Sequence, residues 1–385
     1  MFYKPGLDSL SFEMGPSRPP SEARSLLLRV TRGCSWHRCE FCSSHRTMEF
    51  ELRRVDEIKK DIDTVKSITE EIKQIAWGNG FEGNLKKASA QVHSRPPNDS
   101  FRIVAQWLYF GGDKVFLQDA NSIVMKTSDL VEVLEYLKEQ LPGIYRVTSY
   151  GRSQTVAKKS LEELKDIRAA GLSRLHMGLE SGSDEVLEFV RKGVTAAEHI
   201  SGGQKVVESG ISLCEYVMPG VGGKRLSEIH AEETARVLNQ INPNFIRLRS
   251  LMIREDLPLY QKWQDGEFEL MMDDGVVWEI RELICRLEVT SYLASDHIEN
   301  LLQEVEGKLP DDKGKMIDII DRYLALPADE RLNFRLGRRA GYYVSLDDLN
   351  NISIRGAVDT MLYRMRARGE DPEGTMFNLK KRFLV

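Results

Sequence analysis

Between residues 26 and 248 the chain alternates six times between a short apolar run and an amphipathic helical pattern. This alternation limits the fold more than any other feature of the sequence. The connections are short, so successive strands must run parallel and be joined by right-handed crossovers. We therefore predict an α/β fold, a partial (β/α)6 barrel of the TIM type, with a flat doubly wound sheet as the alternative. The predicted strands are residues 26–30, 114–117, 144–150, 175–180, 211–218 and 245–248.

Helix signals lie between these strands. Residues 55–75 carry an apolar stripe at helical spacing, and Ser160–Glu163 and Thr195–Glu198 have the pattern of capping boxes. Ser128 is predicted to cap a further helix. Helices are also predicted over 226–241 and over 103–109, and the short length of 103–109 leaves a strand as the alternative there. The glycine- and proline-containing stretch 78–100 predicts a loop.

Three regions are predicted from these patterns: an irregular N-terminal lead-in over 1–25, the barrel over 26–250, and a C-terminal appendage over 251–385. The appendage is predicted to be all-helical, with helices at 276–287, 295–305, 313–324 and 330–336, and to face substrate. Arginine and lysine outnumber acids from Arg331 onward. Both a patch for an acidic substrate and a solvated helical face fit that bias.

The first predicted strand leads into a loop that holds three of the five cysteines, Cys34, Cys39 and Cys42, within nine residues. Three thiolates around one centre suit a soft transition metal or an iron–sulfur cluster. A structural zinc site is normally closed by four ligands, so a count of three favours a cluster with one open iron. A zinc site completed by His37 or His45 remains the alternative.

Polar and glycine residues follow the other strands. In a parallel α/β sheet, chemistry belongs at the carboxyl ends of the strands, where these residues gather. The candidate binding residues are Gln118, Asp119, Tyr150, Arg152, Glu180, Ser181, Met218 and Gly220.

Composition restricts the setting. The 385 residues are 41% hydrophobic and 29% charged, with a net charge of −5, as in an ordinary globular protein with no global attraction to nucleic acid. No run reaches the ~20 apolar residues that a membrane helix needs. Clustered rather than paired cysteines indicate a reducing compartment, so we expect a cytoplasmic protein in a low-oxygen setting.

The cysteine loop, placed after the first strand of six β/α units, resembles that of the radical SAM superfamily. The likeness is to the branch with oxygen-independent coproporphyrinogen oxidase, the methylthiotransferases and the elongator catalytic subunit, and it covers about residues 17–250. It implies a 4Fe–4S cluster on Cys34, Cys39 and Cys42 whose free iron binds S-adenosylmethionine. It further implies reductive cleavage to a 5′-deoxyadenosyl radical that abstracts hydrogen from a substrate.

The spacing departs from the family pattern. Four residues separate Cys34 from Cys39, where C-x-x-x-C-x-x-C is usual, while Phe41 keeps the usual aromatic before the last cysteine. One added residue costs a flexible loop little entropy.

The resemblance also suggests roles for the strand-end residues. Gln118 and Asp119 stand where the family has Gly-Gly-Glu and can accept hydrogen bonds from the cofactor ammonium. Arg152 suits its carboxylate, and Glu180 or Ser181 its ribose hydroxyls. Met218 and the glycines from Gly220 would let backbone approach the adenine.

Two hypotheses follow. The first is a radical SAM enzyme with a flavodoxin- or ferredoxin-type electron donor and an undetermined substrate. The second is a zinc-stabilised nucleic-acid-binding module without catalysis.

Overall fold

The computed structural model describes residues 9–16, 18–46, 48–78 and 80–381. Residues 1–8 and 17 of the predicted lead-in, and Arg382 of the basic C-terminal run, lie outside the described residues. The described chain forms two compact units. The first comprises the residues up to His37, Ser44–Met177 and Lys205–Leu213, and the second comprises Arg38–Ser43, Gly178–Gln204 and the residues from Cys214 onward.

Most strands of the described chain belong to one main sheet of eight strands, and two form a separate pair. They are β1 (Leu26–Arg29), β2 (Thr31–Arg32), β3 (Glu51–Leu52), β4 (Lys114–Gln118), β5 (Arg146–Gly151), β6 (Leu172–Glu180), β7 (Ser212–Val217), β8 (Phe245–Leu248), β9 (Tyr292–Ala294) and β10 (Gly307–Lys308). In the first unit, the pairs β1–β4, β4–β5 and β5–β6 are parallel. In the second unit, β7–β8 and β8–β9 are parallel and β9–β10 is antiparallel. The predicted α/β class with parallel strands is confirmed.

Helices connect these strands. They are α1 (Val55–Gly78), α2 (Leu85–Ser94), α3 (Asp99–Tyr109), α4 (Thr127–Gln140), α5 (Ser153–Lys158), α6 (Leu161–Ala170), α7 (Asp184–Phe189), α8 (Ala196–Glu208), α9 (Ser227–Ile241), α10 (Pro258–Gln264), α11 (Asp273–Arg286), α12 (Lys313–Leu324), α13 (Ala328–Arg339), α14 (Ile352–Ala367) and α15 (Pro372–Lys381). Among the described residues, no helix has the length and apolar character that crossing a bilayer requires.

The core of the first unit follows from the apolar patterns. The stripe of α1 is buried at Ile58, Ile62, Val65, Ile68 and Ile72, and α1 packs against α2, α3 and α4. Each such side chain contributes roughly 1.5–3 kcal/mol when it leaves water. The predicted helix over 55–75 is therefore confirmed, and burial of its stripe is the reason that it forms.

The predicted helix over 295–305 is wrong. This segment is irregular and is flanked by the two short strands β9 and β10, so the region after residue 251 is not all-helical. Asn300 ties the segment to the end of β8, because its side chain accepts from the Ser250 N–H at 3.0 Å and donates to the Leu248 carbonyl at 2.9 Å. The apolar spacing of residues 295–305 predicted a helix, but these tertiary hydrogen bonds stabilise an irregular backbone instead.

The loop predicted over 78–100 is also wrong, because it contains α2 and the start of α3. The side chains of Asn84 and Asn98 cap these helices, accepting from the Lys87 and Phe101 N–H groups at 3.0 Å each. Ser128 is not the cap of α4, since its hydroxyl bonds Asp129 instead. The missed signal was asparagine at an N-cap position, which is as favourable there as serine.

Candidate functional site

The cysteine loop begins in the first unit with Cys34, directly after Gly33, and continues in the second with Cys39 and Cys42. None of the three cysteines forms a disulfide with another described residue; Cys39 is buried and the other two are half-buried. Within the described ranges, no group of three or more His, Cys, Asp or Glu side chains is arranged to hold a metal ion. Three cysteine thiols are nevertheless the ligands that a cluster with one open iron requires. The chemistry of the loop therefore fits the ligand assignment, which stays a prediction.

Asp119, at the end of β4, anchors the start of this loop. Its Oδ2 accepts hydrogen bonds from Nε and Nη2 of Arg29, at 3.0 and 2.8 Å, and from the Gly33 N–H at 2.9 Å. Arg29 is also paired with Glu13 at 2.8 Å. The residue before Cys34 is therefore fixed by a fully buried carboxylate.

The second oxygen of Asp119, Oδ1, is buried and has no hydrogen-bond partner among the described residues. A Cβ atom on Gly15 would lie 2.3 Å from that oxygen, so only glycine fits at position 15 of the N-terminal segment. An unsatisfied buried carboxylate oxygen is costly unless a ligand uses it. Its chemistry fits the predicted contact with an ammonium group.

Gln118, which is predicted to accept a hydrogen bond from the cofactor ammonium, contacts the N-terminal segment. Its side-chain amide makes a two-way pair with Gly15, accepting from the N–H at 2.8 Å and donating to the carbonyl at 3.0 Å. The peptide between Gln118 and Asp119 is cis. In this arrangement Gln118 holds the N-terminal segment over β4.

Asn121 brings the region after β5 to the cysteine loop. Its Oδ1 accepts from the Arg152 N–H at 3.0 Å, and its Nδ2 donates to Ser35 Oγ at 3.0 Å. The Arg152 guanidinium lies 5.4 Å from the centre of the Trp36 ring. Two predicted site segments, 34–36 and 150–152, thus meet within the first unit. Tyr150 itself packs edge-on against Phe116 and is half-buried.

In the second unit, Glu180 and Met218 are brought together. The Met218 N–H donates to the Glu180 carbonyl at 2.9 Å. The Glu180 carboxylate accepts from Lys192 Nζ at 2.8 Å, and both side chains are about one-tenth exposed. Glu180 has a φ of 60°, a left-handed conformation that is unusual outside glycine and frequent at functional sites.

Glu215, in the middle of β7, is a third charged group in this neighbourhood. It is fully buried, and neither carboxylate oxygen has a hydrogen-bond partner in the part of the chain that the structure describes. Burial first, and then the negative charge of Glu180, raise its pKa well above the usual range, and Lys192 offsets only part of this. The buried site therefore favours the protonated, neutral form of the Glu215 carboxyl over the charged form.

The turn after β7 contains Gly220 with a φ of 85°. Its N–H donates to Glu279 Oε1 of α11 at 2.6 Å. A Cβ at this position would lie 3.5 Å from Val276 and 3.7 Å from Leu251, in ordinary van der Waals contact with both side chains. Ser181, the other predicted residue nearby, contacts His230 Nδ1 at 2.8 Å.

A small cavity of about 50 Å³ lies in the second unit. Leu251 and Val276, which flank Gly220, are among its lining residues, together with four methionines and Phe377. The carboxylates of Asp273 and Glu373 also reach it, and each is paired, with Arg339 and Arg335 respectively, both at 2.7 Å. The cavity is mostly apolar and adjoins the glycine turn.

Sequence reasoning missed three charged residues of these sites: Arg29, Lys192 and Glu215. Arg29 and Glu215 stand inside strands that were assigned as buried and apolar. A charge within such a strand is itself a signal, because it must find a partner or change its ionisation. Lys192 carried no local signal, since its pairing with Glu180 depends on the fold.

The family model of the radical SAM superfamily matches residues 28–236, more than half of the chain. A tRNA-2-methylthio-N(6)-dimethylallyladenosine synthase of Syntrophus aciditrophicus is 28% identical over 228 residues, which is 57% of this chain and 46% of that protein. A tRNA uridine(34) acetyltransferase of Methanocaldococcus jannaschii is 25% identical over 122 residues, 30% of this chain and 22% of that protein. The chain thus spans less than half the length of either relative.

Solved structures with a similar chain path include Methanocaldococcus infernus Elp3 with an N-terminal deletion, with a TM-score of 0.41 and 16% identity over 54% of this chain and 55% of that one. Coproporphyrinogen III oxidase from Escherichia coli has a TM-score of 0.38 and 15% identity over 45% of this chain and 39% of that one.

Proposed function

The chain belongs to the radical SAM superfamily, and from that premise we propose that it holds a 4Fe–4S cluster on Cys34, Cys39 and Cys42 and cleaves S-adenosylmethionine. When bound, the reduced cluster supplies the electron that splits the cofactor into methionine and a 5′-deoxyadenosyl radical, which then abstracts hydrogen from the substrate. The chain's own residues bind, orient and shield the reactants.

The observation that most supports this proposal is the environment of Asp119. One buried carboxylate ties Gly33, next to the first cysteine, to the end of β4 and leaves Oδ1 for an ammonium donor. A cofactor amino group at this oxygen would satisfy an atom that is otherwise left without a partner. Arg152 is proposed for the cofactor carboxylate, because its fork of donors matches that group.

The second unit supplies the remaining proposed contacts. Glu180 and Ser181 are proposed for the ribose hydroxyls, and Met218 with the Gly220 turn for the adenine. Lys192 orients the Glu180 side chain through their 2.8 Å bond. The Gly220 N–H is already donated to Glu279, so a contact between the adenine and this glycine would not use that N–H group.

The region after residue 251 is proposed to face the substrate. Its support is the apolar cavity beside the Gly220 turn, which Leu251 and Val276 share with that turn. Both relatives are named as enzymes that act on tRNA, so we propose tRNA as the first substrate to test. The basic run adds limited support, because Arg355, Arg366 and Arg368 are already paired with acids.

We place the enzyme in a low-oxygen cytoplasm with a flavodoxin- or ferredoxin-type electron donor. This rests on reduced, clustered cysteines and on the oxygen sensitivity expected of a cluster with an open iron. The zinc-stabilised module has no support from the family match.

The decisive experiment is anaerobic reconstitution with iron and sulfide, followed by dithionite reduction in the presence of S-adenosylmethionine. We expect absorbance near ~400 nm from the cluster and formation of 5′-deoxyadenosine. Zinc bound at about one ion per chain, with neither signal, would instead support the structural module.

Cys34→Ala is the informative variant, and Cys285→Ala on α11 is its matched control. We expect the first to lose the cluster absorbance and the second to retain it. A full cluster in Cys34→Ala would show that the ligand set is wrong.

A further inference from the structure

Glu279 of α11 is a buried carboxylate that is not among the predicted site residues. It contacts both the Gly220 turn and the start of α9. Its side chain is 2% exposed. Oε1 accepts from the Gly220 N–H at 2.6 Å, and Oε2 accepts from Ser227 Oγ at the start of α9 at 2.5 Å. One side chain of the C-terminal region thereby fixes the turn after β7.

The same carboxylate is linked to Ser181 through His230. Ser181 Oγ accepts from the Ser183 N–H at 3.1 Å and lies 2.8 Å from His230 Nδ1. Burial lowers the His230 pKa to about 4, so the ring is neutral at physiological pH. If the Ser181 hydroxyl donates the hydrogen bond to His230, Nδ1 of the ring must be unprotonated. The ring proton is then on Nε2, which lies 3.6 Å from Glu279 Oε1.

We infer that Glu279 is a positioning residue that sets the Gly220 turn and, through His230, the Ser181 hydroxyl for the cofactor. The inference rests on the proposed function, which assigns Gly220 and Ser181 to the adenine and ribose. The geometry is specific, because two donors from different elements converge on the two oxygens of one carboxylate. An apolar side chain at position 279 would leave the Gly220 N–H unsatisfied.

The protonation state of Glu279 adds a measurable consequence. Burial raises its pKa to about 7, although the bonds from Ser227 and Gly220 oppose this. Above pH 7 both bonds are made to an ionised acceptor, which strengthens them. As pH falls through 7 the carboxyl gains a proton, one oxygen must donate instead of accept, and the turn is held less firmly. His230 of α9, whose Nε2 lies 3.6 Å from Glu279 Oε1, stays neutral over this range.

The test measures the dissociation constant of S-adenosylmethionine for the reconstituted protein from pH 6 to 8.5. For the wild type we expect affinity to fall about fivefold between pH 8 and pH 6, the scale of weakening one charge-assisted hydrogen bond. Glu279→Gln mimics the protonated acid, so its affinity should equal the wild-type value at low pH and show no step near pH 7. Ser227→Ala removes one of the two bonds and should give an intermediate loss. Glu282→Ala, on the same helix, should keep the wild-type profile.

A second readout does not require cofactor. Amide hydrogen exchange over residues 218–223 should be faster by roughly tenfold or more in Glu279→Ala and faster by a smaller factor in Glu279→Gln, which can still accept from the Gly220 N–H, while Glu282→Ala keeps the wild-type protection. Unchanged exchange in Glu279→Ala, or a pH step that persists in Glu279→Gln, would overturn the inference. Neither result bears on the proposed function, which fails separately if the wild-type protein forms no 5′-deoxyadenosine.

Discussion

At the scale of single residues, Asp119 has two roles: it pairs with the buried Arg29, and it is the proposed acceptor for the cofactor ammonium. Arg29 is almost fully buried, and Asp119 and Glu13 are the carboxylates paired with it. Replacing Asp119 by alanine leaves part of a buried cation uncompensated and frees the Gly33 N–H. We expect Asp119→Ala to lose about 3 kcal/mol of unfolding free energy, the scale measured for a broken buried ion pair, and to incorporate less cluster.

Urea unfolding measures the first effect, and absorbance after reconstitution measures the second. Asp166→Ala, at an exposed position on α6, is the control and should change neither. Wild-type stability in Asp119→Ala would mean that Glu13 alone compensates Arg29.

Glu22 gives the first unit a pH dependence. Burial would raise its pKa, but hydrogen bonds from His176, Arg146 and Ser25 outweigh burial and lower the pKa from 4.5 to about 2. A lowered pKa stabilises the fold above the unfolded value, and the contribution disappears as pH falls from about 4.5 towards 2. Its full size is about 3 kcal/mol.

We therefore expect the stability of the wild type to decline across this pH window and that of Glu22→Gln to be lower at neutral pH but flatter in acid. The measurement is the urea midpoint at a series of pH values. Glu139→Gln, exposed on α4, serves as the control. A slope in Glu22→Gln equal to that of the wild type would assign the acid sensitivity to other groups.

At the scale of elements, two serines with the same predicted role differ in the structure. Ser160 caps α6 in a full capping box, with Ser160 Oγ accepting from the Glu163 N–H at 3.1 Å and Glu163 Oε2 accepting from the Ser160 N–H at 2.8 Å. Ser128 lies inside α4 and bonds Asp129. Ser160→Ala should cost about 1 kcal/mol, and Ser128→Ala should have little effect. Thermal unfolding of the two variants compares them directly, and equal losses would mean that the capping box contributes nothing measurable.

Whether the sequence predicts an element depends on where its stabilising interactions lie. The strands around Phe116 and Val147 and the helix carrying Ile62 were predictable, because burial of a periodic apolar face is a local pattern. The strand β9 was not, because the Asn300 side chain that holds the neighbouring segment bonds residues about 50 positions away. Tertiary bonds overrode the local periodicity there.

At the scale of the whole molecule, the cysteine loop and the strand ends could be identified from sequence, but their partners could not. Parallel strands and their carboxyl ends follow from the alternation, which is why Asp119 and Glu180 could be predicted as candidate residues. Arg29 bonds Asp119 from 90 positions away, Lys192 bonds Glu180 from 12 positions away, and Glu279 bonds Gly220 from 59 positions away. Such partners are visible only once the fold is known.

Cofactor binding should be visible in the stability of the whole chain, because a ligand that binds only the folded state stabilises it by mass action. For the reconstituted protein, S-adenosylmethionine at about 100 times its dissociation constant should add ~2.7 kcal/mol and raise the melting temperature by about 3 °C for a chain of this size. The apoprotein and Cys34→Ala should show little or no shift, since the open iron is a proposed ligand of the cofactor. An equal shift in all three proteins would mean that S-adenosylmethionine binds independently of the cluster, and the role assigned to Cys34, Cys39 and Cys42 would then need a different explanation.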